Sequence, residues 1–268
     1  YLIIENPVTL KYILVSYGYK LVNIAESEWD LENCVEIFSS IGYHQNDVEY
    51  RKQTAIKPTP ISYVGGSAEN EKMLRELYAK RIESGSPRIY PQKPAFRGQL
   101  YLFRRHLFDD ERFDIKGEFF KLNEKGEVVP GETSRLPPKE YLEELDSRAL
   151  NLSLNGTGEI CFRDMEILGL GTALFRPKLV TELHNKLIPD YHYISVDFED
   201  IFQGSTGFGI YCDKLANRMI ERFNQVKNNK DFIDFVAKNG KKWYEENATI
   251  EMNAKIASDV IDLSKIII

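Results

Sequence analysis

Cysteine is scarce in this chain of 268 residues, with only Cys34, Cys161 and Cys212. They are far apart and odd in number, which excludes both a disulfide framework and the paired spacing of a structural zinc site. A surplus of basic charge is also missing. Thirty-five Lys and Arg stand against 41 Asp and Glu, for a formal charge of -6. A protein held on phosphate backbones normally carries a basic surplus or stripe, so nucleic acid is not the expected partner. No run approaches the roughly 20 apolar residues that span a bilayer, and no integral membrane segment is expected. The amino-terminal stretch lacks the charged, apolar and small-residue succession of a signal peptide. With reduced thiols as small core residues, these absences point to a cytoplasmic protein. The sequons at Asn151, Asn155 and Asn247 carry no weight without a secretory route.

What is present is the composition of a globular protein, 43% hydrophobic and 28% charged, enough for one large core or two modest ones. Short apolar runs alternate with segments of helical period, the signature of an α/β fold. The pattern predicts strands at 2–4, 12–16, 61–64, 112–115, 149–154, 172–175 and 193–196. It predicts helices at 28–39, 70–83, 100–108, 139–146, 162–168, 213–227 and 230–246, the last continuing toward 262. Asn239-Gly240 reads as a stop or kink within that last stretch. Neither a repeat of fixed period nor a low-complexity tract is found.

Between Ser84 and Pro94, three prolines and a glycine in eleven residues break regular structure and suggest a linker. A second run, 123–138, is rich in Gly, Glu and Pro and reads as a surface loop. The proposed linker divides the chain into about 90 residues and about 175. Because the chain opens on Tyr1 and an apolar stretch, a trimmed or processed amino terminus is expected.

The segment from Leu152 to Pro177 carries the strongest chemical signal. A strand runs into Gly156-Thr157-Gly158, a helix with Arg163 and Glu166 on one side follows, and another strand comes next. Such a loop and helix start offers free backbone N–H groups and a positive helix end to a diphosphate. Arg163 can add a bidentate phosphate contact, and Glu166, three residues on, can accept from ribose hydroxyls. The other reading is a plain tight turn, with Arg163 paired on the surface to Asp164 or Glu166. The spacing does not match Gly-x-Gly-x-x-Gly, and no Gly-Lys-Ser or Gly-Lys-Thr of a P-loop follows.

The run Glu159-Ile-Cys-Phe-Arg-Asp-Met-Glu-Ile-Leu-Gly-Leu-Gly-Thr-Ala-Leu-Phe175 resembles the donor-site signature of GT-B glycosyltransferases, Phe-Arg, two intervening residues, then Glu. Pro94-Ala-Phe-Arg-Gly98, followed by Arg104 and Arg105, is similar to the segment that opens the donor half of the lipopolysaccharide-modifying and protein O-glucosyltransferase type. Leu187-Ile-Pro-Asp-Tyr-His-Tyr-Ile-Ser-Val196, followed by acidic residues to Asp200, resembles the Pro-x-x-His-Tyr-x-x-Val block of the same type. The likeness covers roughly residues 92 to 250, and departs from the family in having Ile160-Cys-Phe before the donor-site arginine.

The resemblance implies two Rossmann-like lobes in a GT-B-like arrangement: a reduced acceptor-side lobe over 1–91 and a donor-binding lobe with carboxyl-terminal helices over 92–268. It implies transfer of a sugar from a nucleoside-diphosphate sugar to a hydroxyl of a glycan or glycoprotein, inverting and metal-independent. The nucleotide sugar is then a co-substrate, and no cofactor is expected. No Asp-x-Asp motif or His/Cys/Asp cluster at ligand spacing suggests a metal. The implied donor site gathers Arg97 and Gly98 with Gly156, Thr157, Gly158, Arg163, Glu166 and His192. Arg97 has a linker salt bridge, and His192 a satisfied place between tyrosines, as alternative roles. An inverting transferase also needs a base for the acceptor hydroxyl. Glu28, in the acidic run Glu26 to Asp30, is the nominee, although that run also reads as the start of a helix capped by Ser27. A non-catalytic nucleotide-sugar or glycan-binding module is the alternative function.

Overall fold

A computed structural model describes residues 68–98, 110–117, 120–122, 128–130, 136–154, 160–179, 185–198 and 208–260, together with Leu107 and Leu183. The strands are β1 (Ala95–Arg97), β2 (Asp114–Lys116), β3 (Phe120–Leu122), β4 (Val128–Pro130), β5 (Leu150–Leu152), β6 (Ala173–Pro177) and β7 (Ile194–Val196). The helices are α1 (Ala68–Ser84), α2 (Pro138–Asp146), α3 (Phe162–Gly169), α4 (Phe208–Val226), α5 (Lys230–Asn247) and α6 (Ile250–Val260).

Five strands form one parallel sheet in the order β2-β1-β5-β6-β7. Its central strands β1, β5 and β6 are buried along their whole length, as expected of a parallel sheet covered on both faces by helices. Alternation divides their side chains: Leu150, Leu152, Phe175, Ile194 and Val196 join one buried cluster, which includes Leu215, Met219 and Phe223 of α4. On the other face, Leu174 packs with Leu74 of α1, Leu142 and Leu145 of α2, and Ile167 and Leu168 of α3. The described residues thus make one Rossmann-like α/β lobe, and no second lobe is found among them. The strands predicted before residue 68, the helix predicted at 28–39 and, Leu107 apart, the helix predicted at 100–108 lie outside the described residues.

Helix α5 reaches both clusters. Ile233, Val236 and Ala237 enter the first, whereas Trp243 and Tyr244 enter the second. Midway stands Gly240, where a Cβ would lie 2.6 Å from the His192 carbonyl oxygen and 2.7 Å from a Leu168 methyl. The expected stop at Asn239-Gly240 is therefore corrected: the helix runs through, and the glycine permits a close approach.

Two further expectations change. The run 123–138 is not wholly loop, because β4 within it pairs antiparallel with β3, Lys121 opposite Val129. The proline-rich stretch before β1 is not a bare linker. Ile89 bridges to Arg148 at the amino end of β5, and Arg88 donates to Asp146 and to the carbonyls of Leu170 and Gly171. Arg81 of α1 pairs with the same Asp146 at 2.6 Å. Helix α1 lies before the 91/92 boundary in sequence, yet it packs on α2 and α3. Asn151, in one of the sequon triplets given no weight, is fully buried in β5.

Candidate functional site at the sheet switch point

The chain winds outward from β1 to β2, then returns to the other side of β1 for β5, β6 and β7. The direction of winding therefore reverses between β1 and β5. In open α/β sheets the crevice at the carboxyl ends of such a strand pair is where ligands bind. Gly98 ends β1 there, Ser153 follows β5, and α3 begins nearby.

Gly98 adopts a φ of +134°. A Cβ there would fall 1.9 Å from Nη2 of Arg163, so the absent side chain is what admits the guanidinium. On its other side, Gly98 donates its N–H to the Lys116 carbonyl at 3.1 Å. Its own carbonyl oxygen occupies the place a Cβ on Gly117 would take.

The start of α3 is fixed by Asp164. Its carboxylate accepts the Cys161 N–H at 2.7 Å and an Nη1–H of Arg176 at 2.6 Å. Both partners of that ion pair are almost wholly shielded from water. Carboxylates near a helix start also favour its positive end. Arg163 is thereby held with only 8% of its surface exposed. Its Nε donates to the Arg97 carbonyl at 2.5 Å, and its Cζ lies 4.2 Å above the Phe96 ring. Nη1 is buried with no hydrogen-bond partner, and Ser153 Oγ at the same edge of the sheet is likewise buried and unpartnered. Burial opposes the Arg163 charge, but Tyr141, Cys161, Glu166 and Asp164 outweigh it and hold its pKa above the ordinary value.

Glu166 follows one turn later. Its Oε1 accepts from Asn70 of α1, and its Oε2 from the Tyr141 hydroxyl of α2, both at 3.0 Å. Burial pushes its carboxyl above the usual carboxylate value, against the pull of Arg163. Burial also raises the Tyr141 hydroxyl. Arg97 is committed as well: Nε to Glu144 at 2.7 Å, Nη2 to Asp114 at 2.6 Å, and Nη1 to two main-chain carbonyls. Its side chain braces β1 against β2 and α2, while its carbonyl orients Arg163.

Of the residues expected to share a site, Gly98, Arg163, Glu166 and the main chain of Arg97 come together. His192 does not join them. It precedes β7 at the amino end of the sheet, with β5 and β6 between that strand and β1. Its Nδ1 accepts the Ile188 N–H at 2.9 Å, its ring meets Tyr191 edge-on, and burial lowers its pKa. Gly156, Thr157, Gly158 and Glu28 lie outside the described residues. Sequence reasoning did not single out Ser153, Gly117, the Asp164–Arg176 pair or Phe162, whose ring stands exposed at the first position of α3. An arginine inside the apolar run Ala173-Leu-Phe-Arg-Pro177 was the available signal for the ion pair.

Among the described residues no group of three His, Cys, Asp or Glu side chains is placed to hold a metal ion, and no helix is long and apolar enough to cross a membrane. No protein-family model matches the chain, and no curated protein matches it. The class defined by fold and topology is a Rossmann-like α/β domain.

Proposed function

We propose that the switch-point crevice binds the diphosphate of a nucleoside-diphosphate sugar, and that the protein is a glycosyltransferase of GT-B type acting on a hydroxyl of a glycan or glycoprotein. One observation carries this reading: Arg163 is buried beside the α3 start with Nη1 unpartnered. A desolvated cation with an unsatisfied donor is costly, and an anion at the helix start would offset that cost. Ser153 Oγ adds a neutral donor at the same edge.

In the proposed reaction the acceptor oxygen forms a bond to the anomeric carbon as that carbon's bond to the phosphate oxygen breaks. The hydroxyl proton passes to a base, for which Glu28 is the nominee from sequence. Charge develops on the departing diphosphate, where Arg163 and the α3 dipole lower its energy. Arg97 acts here as a positioning residue, since its carbonyl receives Arg163 Nε.

Calorimetric titration of UDP, GDP and their sugars into the wild type and Arg163→Ala tests the site. Binding by at least one nucleotide sugar, lost in the variant, is expected. No binding by any of them, or equal binding by the variant, overturns the assignment. Donor hydrolysis, or transfer to an oligosaccharide panel, separates an enzyme from a binding module.

A further inference from the structure

Phe162 is the most exposed aromatic side chain among the described residues, at 67%. It belongs to neither buried cluster, yet it occupies the first position of α3, next to Arg163. Successive helical residues point about 100° apart, so Arg163 turns inward beneath Gly98 while Phe162 faces solvent. Helical side chains lean toward the amino terminus of their helix. The ring therefore leans toward the start of α3.

We propose that Phe162 is the platform on which the base of a nucleoside diphosphate stacks while its phosphates rest on Arg163 and the first turn of α3. The inference rests on the nucleotide reading above and extends it to the part of the ligand that a phosphate site does not recognise. Two features support it: an aromatic face open to water and a neighbouring cation with an unpartnered buried donor at the same helix start. An aromatic face is sequence-tolerant toward bases, because every base has a π-face. The site should thus distinguish nucleotides from bare phosphates more sharply than one nucleotide from another.

The test titrates UDP, GDP and inorganic pyrophosphate into the wild type, Phe162→Ala, Phe162→Trp and Arg163→Ala. Phe162→Ala is expected to weaken UDP and GDP about tenfold, the lower part of the range for one stacked base, and to leave pyrophosphate unchanged. Phe162→Trp should keep nucleotide binding and show indole quenching with UDP or GDP but not with pyrophosphate. Arg163→Ala should weaken all three. Equal weakening of all three ligands by Phe162→Ala means that the ring only props the helix start and overturns the proposal. Nucleotides that bind the wild type no better than pyrophosphate overturn it too, while leaving the phosphate site intact. If none of the three binds the wild type, the nucleotide reading itself fails, and the platform with it.

Discussion

Gly98 and Arg163 form a unit in which one residue's missing side chain is the other's binding place. Gly98→Ala should both strain a backbone at φ +134° and drive its methyl into the guanidinium. The expected loss is about 1–3 kcal/mol of stability, read as a lower urea midpoint, together with weaker pyrophosphate binding because Arg163 is displaced. Cys161 offers a second probe at the same place. It is partly exposed, whereas Cys212 is buried, so N-ethylmaleimide should label Cys161 in preference to Cys212. Pyrophosphate should slow that labelling, as followed by peptide mass mapping, and an unchanged rate would argue against an anion at the start of α3. This unit was half legible in the sequence. The resemblance expects Gly98 and Arg163 to meet at one site, but nothing in the chain order tells that the guanidinium of Arg163 packs against Gly98 itself. His192 misleads because an aromatic–histidine block before a strand carries no mark of which end of the sheet it will reach. The parallel pairing of β7 with β6 puts it at the amino end.

At the scale of elements, α3 is secured at both ends. Asp164 ties its start to Arg176, and at its finish Arg88 donates to the Leu170 and Gly171 carbonyls at 2.6 Å while Lys241 donates to the Gly169 carbonyl at 2.9 Å. Cations at a helix carboxyl end also complement its dipole. Asp164→Ala should remove the cap and take the 2.6 Å carboxylate partner from the fully buried Arg176, at a cost of about 3–5 kcal/mol. Chemical denaturation checks the size, and a loss near that of an exposed ion pair would mean that the other contacts of Arg176 suffice to hold it. Helices α2, α3 and α5 were legible because each presents apolar residues at helical spacing to a core. Strand β1 was much less so. Its three residues, Ala95–Arg97, follow a run of prolines and become a strand only through the neighbours β2 and β5. The β3–β4 ribbon is similarly short, and three-residue strands leave no period to detect. Gly240 was misread because a glycine marks either an end or a close contact, and only the carbonyl of His192 behind it decides which.

Across the whole molecule, two partly buried carboxylates give the pH dependence of folding opposite slopes. Burial raises the Glu166 pKa, so the folded state holds that proton longer and stability falls as pH rises from the ordinary carboxylate value through the folded one. For Glu144, burial works upward, but the guanidinium groups of Arg97 and Arg148 prevail and its pKa is lowered. Its stabilisation is present above the ordinary value and is lost as pH falls through the folded one. Glu166→Gln should therefore flatten the decline on the alkaline side of the usual carboxylate range, and Glu144→Gln the rise on its acid side. Thermal melts across that range check both signs. Arg163 Nη1, buried and without a partner, extends this reasoning from protons to other solutes. Any anion that reaches it binds the folded chain and not the unfolded one, raising the melting temperature by mass action. At matched ionic strength the protein should melt higher in phosphate than in chloride, and Arg163→Ala should erase the gap. The choice of buffer then becomes part of the protein's measured stability, and if the proposed site is correct an assay run in phosphate would include a competitor for it.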